Sequence, residues 1–308
     1  MKSLIIDNKE FVITGRFVRI LRLKEEWDAD IENPEEVISK FRRLNVKADL
    51  FTFAQRLPHI EPLFKYPMEW DNVAAIPLST YEHWWTKQVY QQVRNHVRKS
   101  IKSGVIIKEI PFNDDLIRGI TDIFNETPIR QGTPNTHFGK TFAETKALMG
   151  TYLERATFLG AYWQEELIGF IKIVFTGNFA RTMGIEAKIK HRDKRPMNAL
   201  ISKAVEICVK KGVKYFVYGK FIYGKKGVDS LTKFKQYNGF QQINLPRYYV
   251  PLNLKGKIIL FLRLHKRLNE ILPGLIVKII IKIRKYYYEA KYWKELKNFR
   301  KKPNNRDI

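Results

Sequence analysis

The sequence has little cysteine, a deficit of acid and no long apolar run, and each shortage excludes something. Cys208 is the single cysteine among 308 residues. The chain therefore holds no disulfide framework and no cysteine zinc cluster, and a reducing compartment is expected. Cys208 stands beside Val205 and Val209 on the apolar side of a helical pattern, where it reads as a small buried hydrophobe rather than a nucleophile. No stretch reaches about 18 uncharged apolar residues, so no helix is expected to cross a membrane. The opening Met1-Lys2-Ser3-Leu4-Ile5-Ile6 turns polar at Asp7, and no secretory leader is expected. The expected location is the cytoplasm, extending to the inner face of the membrane. No metal site is expected: His59 and Glu61, in a loop of three prolines, lack further ligands at a workable spacing.

Acid is scarce relative to base. Lys and Arg number 56 against 31 Asp and Glu, a net charge of +25. An anionic partner follows: nucleic acid, anionic lipid or a phosphate-bearing substrate. With 44% hydrophobic and 13% aromatic residues there is material for a sizeable core.

The organising stretch runs from Thr157 to Phe240. Three apolar runs, Thr157 to Tyr162, Glu166 to Phe175 and Ala180 to Ile189, predict three strands. A basic loop, His191-Arg192-Asp193-Lys194-Arg195-Pro196, leads into a helix from Asn198 to Lys211. The strand Lys214 to Tyr218 follows, then a helix from Asp229 to Tyr237. A basic loop entering a helix N-terminus is an anion site, because free N–H groups and the helix dipole favour phosphate or carboxylate.

Upstream, Phe17 to Leu23, Asp49 to Ala54 and Val73 to Leu78 read as strands, and Asn33-Pro34 as the start of a helix reaching Leu44. One long helix is predicted from Ser79 to Ser103, with Trp84, Trp85, Val89, Val93 and Val97 as its apolar stripe, ended by Gly104. Val105 to Ile110 is a strand, Asp114 to Asn125 a helix capped by Asn113, and Phe142 to Arg155 another helix. Between the two helices lies a polar loop carrying Glu126, Arg130 and His137. It is either functional or a solvent loop in which Arg130 pairs with Glu126. From residue 105 the order is β-α-α-β-β-β-α-β-α-β, closing with Gln242 to Pro251. The fold class is therefore α/β (α+β), a mixed sheet flanked by helices.

This order, the basic strand-to-helix loop and the closing Phe234-Lys235-Gln236-Tyr237-Asn238-Gly239-Phe240 resemble the GNAT acyltransferase superfamily. The basic helix before Gly104 and the Arg130-Gln131-Gly132 loop resemble its FemAB-like branch of peptidoglycan-bridge aminoacyl transferases and cell-envelope acyltransferases. The resemblance covers about residues 80 to 252. It implies a degenerate N-terminal GNAT-like lobe over 1–78, a basic linking helix over 79–104 and a GNAT-like domain over 105–254; the basic helical tail over 255–308 lies beyond it. It implies acyl transfer to an amine or hydroxyl of a small-molecule or lipid-linked acceptor, with acyl-CoA as co-substrate or, alternatively, charged tRNA. A non-catalytic membrane- or nucleic-acid-binding module is the third alternative. The chain departs from the acyl-CoA pattern, however. Arg192, Asp193, Arg195 and Met197 occupy the register where glycines would let a pyrophosphate approach the backbone. Donor phosphates would then be held by Lys190, Arg192, Lys194, Arg195 and Asn198.

Acyl transfer needs a group to take the nucleophile's proton and donors for the oxyanion. Glu186 stands where GNAT enzymes often place a base, in an apolar strand whose burial raises a carboxyl pKa. It reads equally as a solvent-facing strand residue. His137 is the second candidate base. Lys235 occupies a position often held by a general-acid Tyr and would polarise the acyl carbonyl or bind donor phosphate. Arg130 and Tyr218, the latter at the sheet edge where ligands gather, are candidate substrate contacts. Gly224-Lys225-Lys226-Gly227 lacks the spacing of a phosphate loop.

The tail from 255 carries 16 Lys and Arg against 4 Asp and Glu, a net of +12. Lys257 to Leu272 and Leu275 to Phe299 read as helices broken at Pro273-Gly274. In the second, Lys278, Lys282 and Lys285 mark a polar face. Ile279, Ile280, Ile283, Tyr287 and Tyr288, extended by Tyr292, Trp293, Leu296 and Phe299, cover the apolar side. Such a helix suits an anionic membrane surface, or packs on the domain or a second subunit.

Overall fold

The computed structural model describes residues 2–130, 132–223, 229–266, 274–293 and 297. Its first elements are β1 (Lys2–Ile6), β2 (Lys9–Thr14), β3 (Ile20–Leu23), α1 (Pro34–Arg43), β4 (Leu50–Ala54) and β5 (Met68–Pro77). Next come α2 (Tyr81–His83), α3 (Gln91–Lys102), β6 (Ile106–Ile110), α4 (Asp114–Phe124), β7 (Ile129–Arg130), β8 (Thr133–Pro134) and α5 (Phe142–Met149). The chain continues through β9 (Ala156–Trp163), β10 (Glu166–Thr176), β11 (Phe179–Ala187), α6 (Pro196–Lys210), β12 (Tyr215–Val217) and α7 (Ser230–Tyr237). It ends with β13 (Gln241–Pro251), α8 (Leu254–Phe261) and α9 (Gly274–Lys291).

Two compact units form, and they do not follow the linear blocks suggested by the sequence. One comprises Met1–Val73, Lys220–Gly227 and Gln242–Pro273; the other comprises Ala74–Gly219, Val228–Gln241 and Gly274–Ile308. The two units meet in the chain within β5, between Val73 and Ala74, and α8 falls in the first unit and α9 in the second. β13 pairs antiparallel with β4, Arg247 opposite Ala54.

In the first unit, β1 and β2 form a hairpin through Asp7 and Asn8, both at positive φ (50° and 60°). That pair of left-handed residues suits a tight two-residue turn, and short polar side chains tolerate it best. β3 and β4 are parallel, so a crossover must join them, and α1 supplies it. The Asn33 side chain accepts from Glu36 N–H and Pro34 occupies the first turn. Phe41 of α1 meets Phe11 and Phe51 edge-on at 5.1 and 5.0 Å, inside a core that includes Phe53 and Tyr248.

The second unit has the strand order β5-β12-β11-β10-β9-β6, β5 entering through its residues from Ala74. β6, β9, β10 and β11 are antiparallel neighbours, and β12 lies parallel to β11. The expected mixed sheet is therefore present. Successive residues of β10 show the two layers, because strand neighbours point to opposite faces. Gly169 lies beneath Leu200 of α6, while Phe170 meets Phe124 of α4 at 5.8 Å.

Two predicted helices are interrupted. The run from Ser79 to Ser103 breaks at Val89 and Tyr90, both extended. Trp84–Gln88 forms a wider turn closed by Val89 N–H to Trp84 O (3.0 Å). Tyr90 N–H leaves the helix for Tyr237 O (3.1 Å), and Arg94 Nη1 donates to the orphaned carbonyls of Trp85 and Val89. The expected stripe nevertheless survives, with Trp84, Val89, Val93 and Val97 all buried. The run from Phe142 stops at Met149 because the buried Lys172 ammonium donates to Met149 O (2.8 Å) and to Thr151 O. The expected features at Gln131, Gly224-Lys225-Lys226-Gly227, 267–273, Leu296 and Phe299 lie outside the described residues.

The Asn238-Gly239-Phe240 segment locks the end of α7. Trp84 Nε1 donates to Asn238 O (3.1 Å), and Phe240 packs on Phe216 and Tyr218 at 5.5 and 5.7 Å. Gly239 has φ +87°, and a Cβ there would stand 3.0 Å from Trp84 Nε1. Gly239→Ala is therefore expected to cost about 1–2 kcal/mol. A lowered thermal unfolding midpoint of the purified variant checks this, and an unchanged midpoint would refute the locking role.

Candidate functional site

β11 and β12 begin side by side and then separate. β12 pairs with β11 only at Phe179, Ala180 and Arg181, whereas β11 continues to Ala187. From Thr182 onward that edge of β11 has no strand partner among the described residues. Beyond β11 the chain forms a tight helical segment, Ile189–Lys194, and α6 starts at Pro196. The edge, the loop and the helix N-terminus thus meet at one end of the sheet.

Three side chains fix this end. Both carboxylate oxygens of Glu126, just after α4, accept loop N–H groups, from Ile189 at 2.6 Å and Lys190 at 3.0 Å. Arg130, on β7, donates to Ala187 O (2.9 Å), to Ile123 O (3.1 Å) and to Glu126 (3.2 Å). Its Nε stands 2.7 Å from Glu186 Oε1, in charge contact though without the alignment of a hydrogen bond. The pairing of Arg130 with Glu126 weighed from sequence is thus present, within a larger network reaching Glu186.

Glu186 lies opposite Phe170 in the β10–β11 ladder and so faces the α4 layer, not solvent. Burial pushes its pKa up to about 7; the Arg130 charge opposes this and the Glu126 charge adds to it. At neutral pH the carboxyl is poised between its two forms. His137 lies in the same layer, flat on Phe124 with ring centroids 4.3 Å apart. Burial and the nearby cations Lys140 and Arg130 lower its pKa, so the ring is neutral at pH 7.

The loop cations are mostly engaged. Lys188 (2.5 Å), Lys190 (2.8 Å) and His191 (3.0 Å) converge on Glu166 at the start of β10. Burial disfavours the Glu166 charge, but their hydrogen bonds prevail and hold the carboxyl at about 2. Lys194 sits 4.1 Å above the Trp163 ring and 3.3 Å from Asp193. Arg195 is left-handed (φ 57°), and its charge adds to burial in lowering the pKa of His96 on α3. Arg192 is exposed at the loop. Asn198 is buried and donates to Asn238 Oδ1 (3.2 Å), joining α6 to the end of α7. At the end of β12, Lys235 is wholly buried with its ammonium 4.6 Å over the Tyr218 ring. Burial lowers its pKa to about 8, against the opposing charge of Asp229.

The structure therefore brings Arg130 and Glu186 together, and separately Tyr218 and Lys235. It turns Lys190 and Asn198 toward internal partners. Two residues organise the basic segment: Glu126, read from sequence only as a partner of Arg130, is the loop's anchor, and Glu166, given no role there, is its counter-ion. Their distance along the chain from residues 188–191 hid them. An acid among so many bases was the available signal.

A nucleotide pyrophosphate can be held by backbone N–H groups where glycines let it approach. Here Pro196 has no N–H, Asn198 N–H already donates to Arg195 O (3.2 Å), and Arg195 brings a side chain to the left-handed position. These residues do not fit a backbone cradle. Arg192 and Lys194 leave only a side-chain mode of holding phosphate.

No protein-family model matches the chain, and no curated protein matches it in sequence. Solved structures do match its fold. FemX superposes with a TM-score of 0.59 at 8% identity, over 84% of this chain and 89% of that one. A C-terminal DUF2156 domain assigned to a lysylphosphatidylglycerol synthetase of Agrobacterium fabrum gives 0.57 at 13% identity, over 84% and 86%. L-PGS from Bacillus licheniformis gives 0.54 at 15% identity, over the same shares. The chain has the GNAT-like, FemAB-type fold of these proteins.

The raised Glu186 pKa gives a signed test. Above the ordinary value of 4.5 the unfolded chain releases this proton while the native state keeps it until about pH 7. Native stability contributed through this group is therefore full below pH 4.5 and lost as pH rises to 7, by on the order of 3 kcal/mol. In Glu186→Gln that loss should be absent. Urea unfolding of both proteins between pH 4.5 and 8 checks it, and parallel profiles would refute the assignment.

Proposed function

We propose that the chain, built on this shared fold, is a transferase. It moves an acyl or aminoacyl group from an activated ester or thioester to an amine or hydroxyl of a cell-envelope precursor. The observation that carries the reading is the end of β11: an unpaired strand edge, a helix N-terminus and a buried carboxyl poised near pH 7 occupy one place. Attack of an amine or hydroxyl on the acyl carbonyl forms the new C–N or C–O bond and breaks the donor's C–O or C–S bond; ionised Glu186 accepts the nucleophile's proton, which then passes to the departing hydroxyl or thiol. Arg130 positions Glu186 and neutralises it after the proton has left. Lys235, having no exposed surface, acts through Tyr218, whose ring it backs. No nucleophilic side chain is required, in keeping with Cys208, whose thiol pKa burial drives upward.

For the donor, an aminoacyl ester on tRNA is favoured over acyl-CoA. The loop lacks a backbone pyrophosphate cradle, while Arg192 and the overall +25 charge suit a polyanion contacted through side chains. The thioester reading keeps one specific support. The unpaired edge from Thr182 to Ala187 can hydrogen-bond an extended amide-bearing arm.

Single-turnover transfer from radiolabelled aminoacyl-tRNA and, separately, from acetyl-CoA and longer acyl-CoAs tests both. Transfer from charged tRNA is expected, with affinity falling steeply as salt rises. Glu186→Gln should slow the chemical step by roughly 10²–10⁴-fold with little change in donor affinity. Transfer from acyl-CoA alone would reverse the donor assignment. Full activity in Glu186→Gln would remove the carboxyl from the mechanism.

A further inference from the structure

Helix α9 turns its apolar face outward. Ile276, Ile279, Ile280, Ile283 and Tyr287 follow a spacing of three and four residues and so share one side of the helix. Each is between 42% and 63% exposed, as is Trp293 just beyond the helix end. At 1.5 Å per residue the stripe from Ile276 to Tyr287 is about 17 Å long. The opposite side meets the protein. The stem of Lys285 lies over Gly132, and Tyr288, Glu289 and Tyr292 on that side are half-buried. A helix packed for stability alone would do the reverse, burying isoleucine and exposing charge.

Charge selects the occupant. By helical geometry Arg284 and Lys291 border the stripe on one flank and Lys282 on the other, and all three are exposed. Residues 274–291 hold five Lys and Arg against one Glu. A second copy laid on this stripe would bring two such cationic helices together, which like-charge repulsion opposes. An anionic bilayer supplies both needs. The acyl boundary accepts the isoleucines, the interface suits Tyr287 and Trp293, and lipid phosphates meet the flanking cations. Among the described residues no helix is long and apolar enough to cross a membrane, so α9 would lie in the interface.

We propose that α9 docks the protein onto an anionic membrane surface through the Ile276–Tyr287 stripe, with exposed Trp293 beside it. The proposal does not depend on the transferase reading, since its test involves no donor. The full chain is sedimented with vesicles of phosphatidylcholine containing phosphatidylglycerol, and with phosphatidylcholine alone. Binding to the anionic vesicles only is expected. Ile279→Glu with Ile283→Glu should weaken it by roughly tenfold or more. Arg284→Gln with Lys291→Gln should weaken it and reduce its salt sensitivity. Thermal midpoints of both variants should match the wild type, because all four side chains are exposed.

Three results would overturn the proposal: no vesicle binding by the wild type, equal binding to neutral vesicles, or undiminished binding by the isoleucine double variant. Light scattering gives the remaining arm. A dimer that the isoleucine substitutions dissociate would assign the stripe to a second copy instead.

Discussion

One guanidinium shared by two carboxylates holds the end of β11 in place. Arg130 touches Glu126 and Glu186 and also donates to the main chain at Ile123 and Ala187. Glu126 in turn fastens the basic loop by two backbone N–H groups. Because Glu126 spends its lone pairs on hydrogen-bond donors, it gains what a buried charge needs. Glu186 receives only an unaligned charge contact, so burial dominates and its pKa rises. The carboxyl left half-protonated near pH 7 is Glu186, on the strand edge.

The same distinction governs the loop. Counting charges around residues 188–195 suggests a strong phosphate magnet, but Glu166 draws Lys188, Lys190 and His191 inward. Three partners on one carboxylate make a rigid knot rather than a free cationic rim. Arg192 is left exposed, and Lys194 lies over an indole. Rigidity positions the α6 N-terminus. It also removes the easy backbone approach that a glycine loop would offer.

Beside the β7–β8 turn, α9 shows that amphipathicity alone does not say which face is buried. Lys285 lies over Gly132, where the absence of a side chain leaves room for its stem. The isoleucines of the stripe remain outward. A surface that places hydrophobes toward solvent and frames them with cations is matched to something other than water.

Much of the fold was legible along the chain. Periodicity and caps marked α1, α4, α6 and α7, whose starts depend on Asn33, Asn113, Pro196 and Asp229 within a few residues. The β9 to β12 order followed from apolar runs and the turns between them. Local pattern could not show that Tyr90 would leave its helix for Tyr237, or that Lys172 would end α5, since those partners are distant in sequence. Nor could it assign β13 to the strand beside β4. Glu186 was legible as a candidate base in an apolar strand; the face of the sheet it takes was not. Its pairing with Arg130, the counter-ion Glu166 and the outward face of α9 were not. Most elements from α4 to α7 and their order could be read along the chain, because they depend on neighbours a few residues apart, and the excess of positive charge is a matter of composition. Which charges are neutralised and which apolar face is left bare emerge with the folded chain, because burial and pairing depend on residues that folding brings near.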